Sequence, residues 1–250
     1  MSDGNGKTRL PGSEPPRVLP KRFYKAAGVE ERGGQFHVVL DGRPIRTPKK
    51  NTVAVPARAL GEAIAAEWEA QAEQIDPATM PLTRYANTIL DGIVGREAEI
   101  RADIAKYAGT DLLCYRADAS QELVEAQAAR WDPLLAWARS DLSMPLVATQ
   151  GMMPVAQQAD TLTRAEAALA GLDAFRLAAM HTMTTLMGSV VLALAVLKGR
   201  VTAQEAWEIA HVDEDWQIRK WGEDAEAAAR RQRRWEEMQA AERMLGLLRA

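Results

Sequence analysis

The chain contains one cysteine, Cys114, in 250 residues. That excludes an internal disulfide and suits a reducing compartment. Histidine is almost as scarce: His37, His181 and His211 fall in separate segments, none three or four residues from another. A histidine metal site needs such spacing or a cysteine cluster beside it, so no metal is expected. Also missing are the Gly-x-x-x-x-Gly-Lys-Ser/Thr phosphate loop, a dinucleotide fingerprint after a strand and a Gly-x-Ser-x-Gly elbow. No cofactor and no catalytic residue is expected. A thiol–imidazole pair built on Cys114 is the one enzymatic alternative. A small buried residue between Leu113 and Tyr115 explains it more simply. Charge of one sign is lacking too, since 31 Lys and Arg face 34 Asp and Glu for a net of −3, which is not the balance of a polyanion binder.

Long charge-free runs are rare, and one needs a decision. Leu177 to Leu197 has no Asp, Glu, Lys or Arg and is long enough to cross a bilayer. It contains His181, Thr182, Thr184, Thr185, Gly188 and Ser189 and lacks flanking basic clusters or an aromatic belt. A helix buried on all sides also reads as apolar all round, so this run is expected to be core, with His181 a hydrogen-bonded core histidine. The N-terminus has no apolar h-region and is not the arginine-rich, acid-free type of an import presequence. Residues 1–18 are expected to be a disordered tail and the protein to be cytoplasmic.

What is present divides into two patterns. Residues 22–56 read as β-structure, with hairpin signals at Gly33-Gly34 and Asp41-Gly42. Between them Phe36, Val38 and Leu40 alternate with Gln35, His37 and Val39, and Pro44, Pro48 and Pro56 limit the strands to short or edge segments. From Pro56 the period turns helical, and Leu60, Ile64 and Trp68 mark a helix covering the meander. The α+β chain is therefore expected to have a β-rich N-terminal domain at 19–78 and a larger helical domain at 79–250. Within the second, Ser120 begins a helix with the stripe Leu123, Gln127, Trp131, Leu134 and Ala138, and Asp111 to Arg116 reads as a short extended piece. Asp160 and Asp173 suit helix N-caps, and Thr202 with Glu205 forms a capping box. Trp68, Trp131 and Trp207 fit core stripes, and Trp68 and Trp131 are expected to be structural.

The segment His211 to Gly222 stands apart. Read as one helix, Trp207, Ala210, Glu214, Ile218 and Trp221 form a stripe that should face a core or a partner, with Glu214 at its middle. A carboxylate there is costly unless something pairs with it. Asp213 and Asp215 flank it, and Trp216 lies off the stripe, either as an interface anchor or against a neighbouring helix. A second basic feature, residues 21–50 with Lys21, Arg22, Lys25, Arg32, Arg43, Arg46, Lys49 and Lys50, leaves a nucleic-acid-binding reading as the alternative. It lacks an aromatic stacking pattern. Arg230, Arg231, Arg233 and Arg234 alternate with acids, as on a solvated helix face.

Six segments in register resemble a known family. They are Arg43 to Pro48, Glu67 to Gln71, Met80 to Thr83, Asp111 to Arg116, Trp131 to Leu135 and Asp213 to Gly222. The chain resembles the assembly chaperones for the α subunit of the F-type ATP synthase. The resemblance implies a two-domain α+β protein that is no enzyme. It implies binding of the unassembled α subunit, shielding of the surface destined for the β subunit, and no part for nucleic acid or membrane insertion. A monomer is expected. It places partner binding on Glu214, with Asp213, Asp215, Trp216 and Trp221 around it. After Trp221-Gly222 the family continues into an acidic stretch with His-Asp. Here Glu223 to Ala227 has acids but no histidine.

Overall fold

The computed structural model describes residues 19–118, 120–151, 153 and 155–249. The expected N-terminal tail, residues 1–18, lies outside the described residues. Strand β1 (Ala27–Arg32) turns at Gly33-Gly34 into β2 (Gln35–Leu40), pairing antiparallel from Arg32↔Gln35 to Ala27↔Leu40. Both glycines have positive φ, 60° and 76°, which a right-twisted two-residue hairpin requires. On its other edge β2 pairs with β3 (Arg43–Pro44) and β4 (Ala54–Val55), so β2 is central. The Asp41 carboxylate accepts bonds from the N–H groups of Lys25 and Ala26, which closes the second turn onto the entry to β1 and holds its carboxyl below the usual range.

Helix α1 (Arg58–Glu69) packs on this sheet through Leu60 and Ile64, both fully buried. Gly61 permits the close approach, since a Cβ there would stand 3.2 Å from Val29. The end of α1 reaches into the helical region. Buried Glu67 accepts the main-chain N–H groups of Leu82 and Thr83, each at 2.8 Å, and the Thr83 hydroxyl at 2.7 Å. Those N–H groups begin α2 (Pro81–Gly92) and would otherwise be orphaned, so a side chain from α1 caps α2. Beside Glu67, the Trp68 ring stands edge-on to Tyr24, 5.7 Å between centroids, and the Tyr24 hydroxyl donates to the Trp68 carbonyl.

Next come α3 (Glu97–Lys106), β5 (Tyr115–Arg116), α4 (Gln121–Asp141), β6 (Thr149–Gln150) and α5 (Thr161–Ala168). The stretch Asp111 to Arg116 differs from the simple extended piece expected of it. Leu112–Cys114 forms a 3-10 turn capped by Asp111, and only Tyr115 and Arg116 pair, parallel, with β6. Ser120 precedes α4 as anticipated but caps nothing with its side chain. Asp160 likewise makes no cap bond and pairs instead with Arg164, whereas Asp173 does accept a capping bond, from the Arg176 N–H.

The charge-free run is buried, but it is two helices rather than one: α6 (Ala174–Met187) and α7 (Val190–Leu197). Gly188 adopts φ 67°, which ends α6, and the Ser189 hydroxyl accepts from the Leu192 N–H to start α7. Asp111 seals the break, accepting the N–H groups of Val191 and Leu113 at 3.1 Å, and burial pushes its carboxyl up to about 6. His181 is not the core residue expected: it is partly exposed and faces Asp103 of α3 at 3.3 Å. Among the described residues no helix is long and apolar enough to cross a membrane. The chain closes with α8 (Ala203–Ala210), α9 (Val212–Trp221) and α10 (Ala225–Leu247), the last lying along α6. One contiguous hydrophobic cluster runs from Tyr24 and Val38 in the sheet to Leu245 and Leu248 at the C-terminus.

Candidate functional site

The acid–tryptophan segment is not the single helix its periodicity suggests. Thr202 and Glu205 form the anticipated capping box of α8, but α8 ends at Ala210 and α9 begins at Val212. His211 makes the break. Its main-chain N–H and its Nδ1 both reach the Trp207 carbonyl, at 3.1 and 2.7 Å, and its imidazole lies on the Trp207 ring with centroids 4.0 Å apart. Burial lowers the His211 pKa below its ordinary value, only partly opposed by the bond to Trp207 and the nearby Glu214. The buried imidazole turns the chain, and the helical phase restarts at Val212, the only buried residue of α9.

That restart turns Trp221 outward and favours the second of the two readings left open for Trp216, burial against a neighbouring helix. Trp221, expected on the inward stripe, is 73% exposed. Trp216, expected off it, is half-buried, and the two rings meet edge to face with centroids 5.3 Å apart. The Trp216 indole N–H is buried without a hydrogen bond of full geometry. It still lies near enough to the Glu122 carboxyl to assist Lys220 in holding that group below its usual range. Lys220 pairs with Glu122 of α4 at 2.7 Å.

The three acids point to different partners. Asp213 accepts from the Gln127 side-chain amide of α4 at 2.7 Å, and Asp215 pairs with Arg231 of α10 at 2.6 Å. Among the described residues Glu214 has only His211, at 3.8 Å, as a charge partner, and a neutral imidazole gives that contact little charge pairing. Two of the acids therefore seat α9 on its neighbours, while the third keeps its carboxylate available. Gln127, Arg231 and Glu122 escaped notice in the sequence as partners of this segment. The one signal was Gln127 itself, a polar residue on the otherwise apolar stripe of α4, where a buried amide needs bonds. It makes two, accepting from the Ala117 N–H and donating to Asp213.

The other sites singled out in the sequence lie elsewhere. Trp131 is fully buried, donates its indole N–H to the Ile209 carbonyl at 2.8 Å, and carries the Arg116 guanidinium over its face. Trp207 packs against Trp235 at 5.5 Å. Cys114 is fully buried, and burial pushes its thiol up to about 12, the opposite of an activated nucleophile. Much of the basic 21–50 charge is committed within the fold. Arg22 binds the Glu69 and Gln71 carbonyls and the Glu69 carboxylate, Arg32 pairs with Glu30, and Lys49 donates to the Asp91 carbonyl. Among the described residues no group of three or more His, Cys, Asp or Glu side chains could hold a metal ion.

Solved structures share this architecture. The crystal structure of Atp12 from Paracoccus denitrificans is 43% identical and superposes with a TM-score of 0.88, covering 91% of this chain and 98% of that one. The chain belongs to the ATP12 chaperone family. The family's model, described as ATP12 chaperone protein, matches residues 21–139. An aspartate-to-lysine mutant of the P. denitrificans Atp12p gives the same TM-score of 0.88 at 43% identity. The mitochondrial protein atp12 of Schizosaccharomyces pombe is 25% identical over 224 residues, 84% of this chain and 77% of its own length. As an ATP12 chaperone the chain is not an enzyme, and the α+β class expected from sequence is the class of these structures.

Proposed function

We propose that the chain binds the unassembled α subunit of the F-type ATP synthase in the bacterial cytoplasm. As a monomer it shields the surface that the β subunit will cover, until the catalytic head assembles. One observation on α9 carries this reading: a tryptophan exposed over 73% of its surface shares a ten-residue helix with a carboxylate that no other helix engages. Exposed tryptophans dominate binding energy at interfaces, and a carboxylate left available supplies orientation and choice of partner. Membership of the ATP12 chaperone family supports a chaperone role for that surface.

The reading is tested by diluting denatured α subunit into buffer with and without the protein and following light scattering. Suppression at stoichiometric ratio, absent with an unrelated helical protein, is expected, and equal scattering in both would refute the assignment. In the same assay Glu214→Lys should lose rescue while melting within a few degrees of wild type, since Glu214 makes no bond to another helix. Loss of the fold instead would make Glu214 a structural residue. A steep salt-dependent affinity for RNA or DNA would favour the basic segment and the alternative reading.

A further inference from the structure

Helix α9 is held unlike its neighbours. Only Val212 of its ten residues is buried, against three of eight in α8. A helix this short has little stability of its own, because nucleation costs are not recovered without packing. The contacts that seat it are mostly polar: a bond from the buried Gln127 amide to Asp213, and two partly exposed ion pairs, Lys220 to Glu122 and Asp215 to Arg231. Pairs at partly exposed positions are weak and screened by salt. Beyond Val212, its main apolar contribution is the half-buried Trp216, whose indole N–H makes no hydrogen bond of full geometry, and that burial works against the seated position. Both ends are articulated. His211 breaks the chain from α8 at φ −105° and ψ 21°, and Gly222 leaves toward α10 at φ 88°, a conformation that strains any other residue.

We propose that α9 is a detachable clamp: it leaves its seat on α4 and α10 during client capture and closes its Trp216–Trp221 face on an apolar segment of the client. The partner chemistry follows from what release uncovers. Trp216, freed from its seat, joins the already exposed Trp221 in a broad apolar surface with two N–H donors, which fits a hydrophobic strip of unassembled subunit surface bearing main-chain carbonyls. Release also frees Asp213 and Asp215 from Gln127 and Arg231, so that the whole acid triplet becomes available where the closed state offers only Glu214. This deepens the client-binding reading and rests on it for the identity of the client.

Hydrogen exchange on the full-length protein, without client, tests the clamp by itself. The amides of α9 should exchange at least about tenfold faster than those of α8, and faster again when sodium chloride is raised to about 0.5 M. Rates equal to those of α8 and indifferent to salt would overturn the proposal and leave client binding untouched. Glu122→Gln and Arg231→Gln each remove one tie without altering α9. Each should raise the rate of association with immobilised α subunit several-fold, whereas an unchanged or slower rate contradicts release during capture. If the wild-type protein does not bind the α subunit at all, the client assignment fails, and the exchange result still decides whether α9 detaches.

Discussion

His211 decides the local geometry of the site, and its ionisation should show it. Burial depresses its pKa, so the unfolded chain takes up the proton first. The stability tied to neutral His211 is therefore present above the ordinary histidine value of about 6.5 and is lost as pH falls through and below it. Asp111 acts in the opposite sense. Its carboxyl is raised to about 6, so its contribution is full at acid pH and fades as pH rises through that value. The two slopes overlap, which makes a bulk melting curve a poor test. An NMR titration of the His211 ring should give a midpoint below about 6.5, and a midpoint at or above that value would contradict the buried neutral imidazole. Cys114 invites a similar single-residue measurement. With its thiol buried and pushed up to about 12, iodoacetamide should leave the native protein unmodified and label it only after denaturation. Cys114→Ser should leave chaperoning intact.

At the scale of elements, the sheet was legible because each of its turns carries a local chemical signature. Gly33-Gly34 and Asp41-Gly42 supply the positive φ values that the two turns need, and the alternation between them sets the register of β2. The helices were legible as stripes, but their breaks were not. Gly188-Ser189 and His211 each interrupt a continuous apolar pattern through a bond that periodicity does not contain: the Ser189 hydroxyl to Leu192, and the His211 ring to Trp207. For the same reason the acid triplet was recognisable while its division of labour was hidden, since Gln127 and Arg231 lie far away in sequence. Glu67 was similarly visible only as part of a family segment. Its buried carboxylate caps α2, and replacing it by alanine strands two main-chain donors and a hydroxyl. Glu67→Ala should cost about 3 kcal/mol in urea unfolding, with a change below about 1 kcal/mol contradicting the capping role.

On the scale of the whole molecule, we propose that residues 19–78 and 79–250 are two regions of one cooperative unit. Glu67 crosses it to cap α2, and the apolar cluster continues from Val38 and Leu60 through Leu82 to the central α6 and α7. Regions that share one core unfold together. Tryptophan fluorescence is weighted to the helical region, with six of the seven tryptophans beyond residue 78, whereas hydrogen exchange on β1 and β2 reports the sheet. The two should give one coincident urea transition, and a separate earlier loss of the sheet would show that the N-terminal region folds independently.

The α9 surface as the place of client contact is most directly tested by a crosslinking map between the protein and isolated α subunit. Crosslinks from positions on α9, Gln217 and Lys220 among them, should concentrate on the α-subunit surface that the β subunit covers in the assembled head, and should disappear with Glu214→Lys. Crosslinks that cluster on the basic sheet at residues 21–50, or that reach α-subunit surfaces exposed in the assembled head, would contradict that placement.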